Sequence, residues 1–138
     1  MAHKLARKYL FPLLPKIDFA IVGEPTLGQI AVAERGLMVL DVVATGVAGH
    51  AARKEGVNAI YKAIQDIQWF QTFQFPKVSD ELGEVGMMVT QINAGSQHNV
   101  VPAECSFVVD IRVNDCYSNK VFPLLNSKQN LSIRLAMF

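Results

Sequence analysis

Four residues of this chain combine a reactive side chain with a setting that could present it: His50, Glu24, Asn99 and Arg112. His50 lies in the run Gly46-Val47-Ala48-Gly49-His50-Ala51-Ala52-Arg53, directly after an apolar stretch. Glycines 46 and 49 would allow backbone angles closed to other residues, so the imidazole would be offered at a sheet end, free to donate or accept a proton or hydrogen bond. The competing assignment is a turn histidine with a purely structural role. Glu24 falls where an apolar run ends and Pro25 fixes the exit, a rigid mounting suited to a carboxylate that binds a cation at about 2.0 to 2.2 Å. A solvated loop glutamate is the alternative. Asn99 sits in a loop from Gly95 to Pro102 and could either offer its amide to a ligand or merely close the turn. Arg112 carries a planar fork of donors able to grip a carboxylate in two places, or to pair with Asp110 two residues away.

The elements that must position these groups follow from hydrophobic periodicity. Phe19 to Gly23 reads as a short buried strand that delivers Glu24 to its end. From Leu37 to Thr45, Met38, Leu40, Val42 and Ala44 share one face while Asp41 and Thr45 point the other way, which predicts a long half-buried strand. Val57, Ile60, Tyr61, Ile64 and Ile67 recur at three- and four-residue steps with Lys62, Gln65 and Asp66 between them, so an amphipathic helix should follow and end before Phe75-Pro76. Two further strands are expected at 86–94 and 105–113, the second with Cys105, Phe107, Val109, Ile111 and Val113 inward and Arg112 outward. Ser118 could cap a second helix through Asn126, although Pro123 falls deeper than the first turn. A last strand is expected within 131–137. The order strand, helix, strand, strand, helix, strand predicts an α+β two-layer sandwich of ferredoxin-like type, a four-stranded antiparallel sheet with two helices on one face.

Composition narrows the function. The 138 residues are 51% hydrophobic, enough for one domain with a real core. Thirteen basic against twelve acidic residues leave a net charge of +1, with no electrostatic case for nucleic acid or an anionic membrane. RNA binding would also want aromatics interleaved with basic residues on the central strands, and only Phe107 is there, on the apolar face. No stretch approaches the roughly 18 to 20 apolar residues that span a bilayer, and Pro12 and Pro15 interrupt the apolar start before it becomes a signal sequence. Cys105 and Cys116 form neither a metal pair nor a disulfide framework, so free thiols and a cytoplasmic setting are expected.

Four segments in order, Val22-Gly23-Glu24-Pro25-Thr26, the His50 turn, Gly95-Ser96-Gln97-His98-Asn99-Val100-Val101-Pro102 and Asp110-Ile111-Arg112, resemble the lid, or dimerisation, domain of the M20 family of metallopeptidases and deacylases. The likeness runs from about Asp18 to Asn119. It implies that 1–35 are a strand and linker belonging to a catalytic domain and that 36–138 are the lid. It also implies an amidohydrolase that uses zinc, or cobalt, to remove an acyl group from an N-acyl amino acid. N-acetylornithine is the first expectation; a succinyl-diaminopimelate desuccinylase or M20 carboxypeptidase lid is the next. By the same resemblance Glu24 is a metal ligand, His50 is donated across a homodimer to stabilise the oxyanion, and Asn99 and Arg112 contact the substrate's α-carboxylate. The imidazole, amide and guanidinium are expected along one rim of the sandwich. His98 is expected to be loop surface.

The family's remaining ligands, from a His-x-Asp motif, a Glu-Glu pair and a late histidine, do not occur here, so the chain alone is expected neither to hold zinc tightly nor to hydrolyse amides. Relatives often carry a proline shortly after the turn histidine, where this sequence has Arg53-Lys54-Glu55-Gly56 and is slightly shorter. The alternative function is a purely structural homodimerisation module, whose exposed helix and edge strand pair with a second copy.

Overall fold

In the computed structural model residues 33–117 are described throughout, together with the backbone of 132–136 and, before them, Pro15, Lys16, Asp18, Gly23, Leu27, Gly28 and Ala31. Contacts divide the chain into two units, Met1–Ala31 and Val32–Phe138. The expected strand before Glu24 and the expected helix from Ser118 lie outside the described residues, Gly23 apart.

Strand β1 (Gly36–Thr45) alternates as its sequence requires, with Met38, Leu40, Val42 and Ala44 all at most 5% exposed. After it come a two-residue strand β2 (Gly49–His50), a 3-10 turn (Ala51–Arg53), helix α1 (Ala59–Thr72), β3 (Gly86–Ala94), a two-residue strand β4 (Val100–Val101), β5 (Glu104–Val113) and β6 (Ser132–Ala136). The main sheet is antiparallel in the order β3-β5-β1-β6. The first long strand thus lies between the third and fourth, which is the ferredoxin-like arrangement. The inward residues of β5, Cys105, Phe107, Val109, Ile111 and Val113, are at most 3% exposed and face the same layer as those of β1. Strand β3 carries an irregularity between Val89 and Gln91, which leaves Thr90 without a partner and bends this edge.

Helix α1 starts where Asn58 turns its side-chain oxygen onto the Ile60 N–H at 2.8 Å, satisfying one of the donors a helix start leaves open. It packs on one sheet face through Ala59 and Ala63, both fully buried, and Phe70. Alanine has no bulk beyond Cβ, so the first half of the helix lies close to the sheet, and Phe70 then meets Phe107 edge-on with ring centres 6.0 Å apart. This corrects the expected apolar stripe. The buried line is Ala59, Ala63 and Phe70, with Ile60 and Ile67 at its margin, whereas Val57, Tyr61 and Ile64 are 45%, 68% and 43% exposed. The two alanines carry little hydrophobic signal, while the bulkier residues one step around the helix point outward.

Candidate site at the His50 turn

Beyond Thr45 the backbone leaves the main sheet and folds back on itself. Val47 and Val57 exchange both backbone hydrogen bonds at 2.8 Å, closing a small loop with His50 inside it. That loop is fastened to the 95–103 segment at several points. Gly46 N–H donates to the Ala103 carbonyl at 2.7 Å, Ala51 N–H to the Asn99 carbonyl at 3.0 Å and Ala59 N–H to the Pro102 carbonyl at 3.0 Å. In the β2–β4 ribbon His50 lies opposite Val100. Lys62 on α1 also donates to the Thr45 carbonyl at 2.8 Å, tying the helix to the point where the loop departs.

The glycines serve this loop for a reason other than the expected one. Neither Gly46 nor Gly49 has a positive φ. A Cβ at Gly46 would overlap the Val57 carbonyl oxygen, and one at Gly49 would overlap that of Glu55. They are needed for space, because two backbone segments pass in contact. The left-handed angles fall later, at Lys54 with φ 56° and Gly56 with φ 87°.

His50 is exposed and caps the 3-10 turn, its Nδ1 accepting the Ala52 N–H at 3.2 Å. With Nδ1 acting as acceptor, the neutral ring carries its proton on Nε2, which is left free as a donor. A donor fixed in this way is suited to stabilise negative charge on a ligand oxygen. Asn99 is exposed beside it, its carbonyl engaged by Ala51; among the described residues its side-chain amide has no hydrogen-bond partner. His50 and Asn99 are therefore brought together by backbone pairing.

Arg112 is not brought to them, which corrects the expectation of a single rim. Thr45 pairs with Glu104 at the His50 end of the sheet, whereas Gly36 pairs with Val113 at the other. Arg112 stands eight residues along β5 from Glu104, about 27 Å at strand rise. It grips Asp110 with two donors, Nε to Oδ1 at 2.7 Å and Nη2 to Oδ2 at 3.1 Å. That hydrogen bond, with the carboxylate's charge, pushes the guanidinium pKa up. The local pairing arises because residues two apart on a strand share a face.

Glu24 lies outside the described residues, and among the described residues no three His, Cys, Asp or Glu side chains gather as a metal site requires. Both cysteines are free, and burial raises the Cys105 thiol pKa. Arg53, which is exposed, ends the turn that His50 caps.

The chain is thus a two-layer α+β domain that holds a histidine and an asparagine on a backbone-braced ribbon at one sheet end. Residues 32–122 match the family model of the M20 peptidase dimerisation domain, and the chain belongs to that family. It is 29% identical over 110 residues to the succinyl-diaminopimelate desuccinylase of Paracoccus denitrificans, covering 75% of this chain and 29% of that protein. It is 31% identical over 114 residues to the acetylornithine deacetylase of Myxococcus xanthus, covering 78% and 30% respectively. The chain thus spans less than a third of either relative's length. Among solved structures, the aminobenzoyl-glutamate utilization protein of Klebsiella pneumoniae shares the fold with a TM-score of 0.56 at 23% identity, over 75% of this chain and 28% of that one.

Proposed function

We propose that this chain acts as the lid and dimerisation domain of a metal-dependent amidohydrolase that removes an acyl group from an N-acyl amino acid. The capping bond to Nδ1 of the exposed His50, which leaves Nε2 free as a donor, is the observation that carries this reading, and the hydrolase names of the relatives support it. In this assignment 1–35 form the connection to a catalytic domain and 36–138 the lid. The described residues do not by themselves fit a zinc or cobalt site, so Glu24 would serve as a ligand only beside others supplied from outside this chain. What the lid contributes is electrostatic. His50 donates Nε2–H to the oxygen on which charge develops as the amide carbonyl becomes tetrahedral, and the Ala52 bond holds the ring so that little reorganisation is needed.

The distance between His50 and Arg112 within one chain is compatible with a site completed by two copies. If β3 of one copy pairs antiparallel with β3 of another, the Gly86 end of one lies beside the Ala94 end of its partner. Because Gly86 pairs with Arg112 and Ala94 with Cys105, the Arg112 end of each sheet then meets the His50 end of the other. Asn99 and Arg112 would hold the substrate's α-carboxylate from these two sides.

The test is His50→Ala in the complete hydrolase that carries this chain. Turnover should fall by about 10² to 10³ with a smaller change in KM, the loss expected when one oxyanion donor is removed. An unchanged kcat would rule out the role. The 138-residue chain alone should neither retain zinc through dialysis nor hydrolyse N-acyl amino acids.

A further inference from the structure

Thr45 is the last residue of β1, the root from which the His50 loop departs. The sheet holds its backbone on one side only. Gly46 N–H turns toward the β5 side, donating to the Ala103 carbonyl at 2.7 Å, and neighbouring residues of a strand point their backbone groups to opposite sides, so the Thr45 carbonyl faces away from β5. On that side the next strand is β6, whose described pairing with β1 runs from Val39 to Val43 and ends before Thr45. Among the described residues the donor that takes the missing strand's place is Lys62 of α1, whose Nζ reaches the Thr45 carbonyl at 2.8 Å. A charged donor bonds a carbonyl more strongly than a neutral one. Asp66, one turn further along α1, is the acceptor that helix spacing offers a lysine at position 62, yet among the described residues no ion pair joins the two. The ammonium is directed across to the sheet instead.

We propose that Lys62 is a positioning residue for His50: by holding the Thr45 carbonyl it fixes where the loop leaves the sheet, and so where the imidazole donor stands. The inference rests on the amidohydrolase reading given above and deepens it. The bonds between Val47 and Val57 and between Ala51 and Asn99 set the shape of the loop and fasten it to the 95–103 segment. The Lys62 bond does something different. Val57 and the Asn58 cap lead straight into α1, so clamping the helix to the end of β1 fixes both limbs of the loop against the sheet at once. Misplacement of a catalytic group by about 1 Å can cost on the order of 10² in rate, which makes the seating of the loop a catalytic matter as well as a structural one.

The experiment measures kcat and KM of the complete hydrolase on N-acetylornithine and on an N-succinyl amino acid for Lys62→Met and Lys62→Arg, alone and combined with His50→Ala. Methionine keeps the helix propensity and much of the apolar stem but has no donor. Lys62→Met should lower kcat about 3- to 10-fold, the net worth of one hydrogen bond, with KM little changed, and Lys62→Arg should recover most of the loss. In the His50→Ala background Lys62→Met should lower kcat no further, because a residue that acts through the imidazole then has nothing left to position. Amide exchange should quicken in peptides covering 46–57 and stay unchanged across β5. An unaltered kcat in Lys62→Met overturns the proposal, as does a loss of equal size with and without His50, which would mean that Lys62 supports the fold or another group. A change in KM alone, or an arginine variant no better than the methionine one, overturns it as well. Absence of turnover on both probes, or parental turnover in His50→Ala, would instead overturn the amidohydrolase role of His50 and this inference with it; faster exchange at 46–57 in that case would show that Lys62 braces the loop to no catalytic end.

Discussion

Gly49 shows how little room the His50 turn has. Its missing side chain is matched by the carbonyl of Glu55, a backbone group that cannot swing aside, whereas Gly86 at the start of β3 has open space around the same position. Gly49→Ala should therefore destabilise the domain by about 1 to 3 kcal/mol, as overpacking does, and Gly86→Ala should stay within about 0.5 kcal/mol of the parent. Urea unfolding of the two variants separates these outcomes. Equal effects would mean that the loop yields more easily than its hydrogen bonds suggest. The pair of glycines was visible in the sequence, but the reason for them was not. The glycines themselves suggested unusual backbone angles, and the structure assigns those angles to Lys54 and Gly56 instead.

At the scale of the element, α1 carries a charge on the line that faces the sheet. Ala59, Ala63, Asp66 and Phe70 follow one another at three- and four-residue steps, and Asp66 is half-buried. Burial raises its carboxyl pKa, with Lys62 pulling partly the other way. A folded-state pKa above the unfolded one means that folding favours the protonated acid. This contribution to stability is fully present below the unfolded-state pKa and is lost as pH rises through the folded-state pKa. Asp66→Asn should accordingly melt higher than the parent at pH 7, with the difference shrinking as pH falls below the carboxylate range. A difference in melting temperature that does not vary with pH would show that burial of the charge is not its origin. The sequence suggested that Asp66 lay on the polar side, because the bulky residues Tyr61 and Ile64 outweighed the two alanines that make the contact.

At the scale of the whole molecule, part of the apolar surface exposed among the described residues lies on α1 and the edge strand β3. Tyr61 and Ile64 on α1 and Met88 and Ile92 on β3 are 43% to 68% exposed. A shallow groove of about 380 Å³ lined by Ile67, Phe70, Gln71, Met87, Met88 and Val89 runs between the helix and that strand. Edge strands with free backbone groups and apolar neighbours pair with other chains unless blocked. In this family the module is a dimerisation domain, and the double substitution Tyr61→Glu, Ile64→Lys should convert a sedimenting dimer to monomer with little change in melting temperature. A dimer that persists unchanged would place the interface elsewhere, and a lower melting temperature would mean that these side chains support the fold itself.

The alternation along β1 and β5, the existence of α1, the strand order implied by the element order and the outward presentation of His50 were all legible in the chain. Each is a local pattern, a period of two or of three to four residues or a turn signal, and local patterns are written in consecutive residues. The separation of Arg112 from His50 was not. Both belong to the same sheet, and which end of a ten-residue strand a side chain occupies depends on the register with β1 and on where the chain leaves it. The steric need for Gly46 and Gly49 was likewise decided only by tertiary structure, because it turns on the close passage of backbone segments that residue type does not encode, whereas the pairing of Arg112 with Asp110 already stood in the sequence as one of two alternatives.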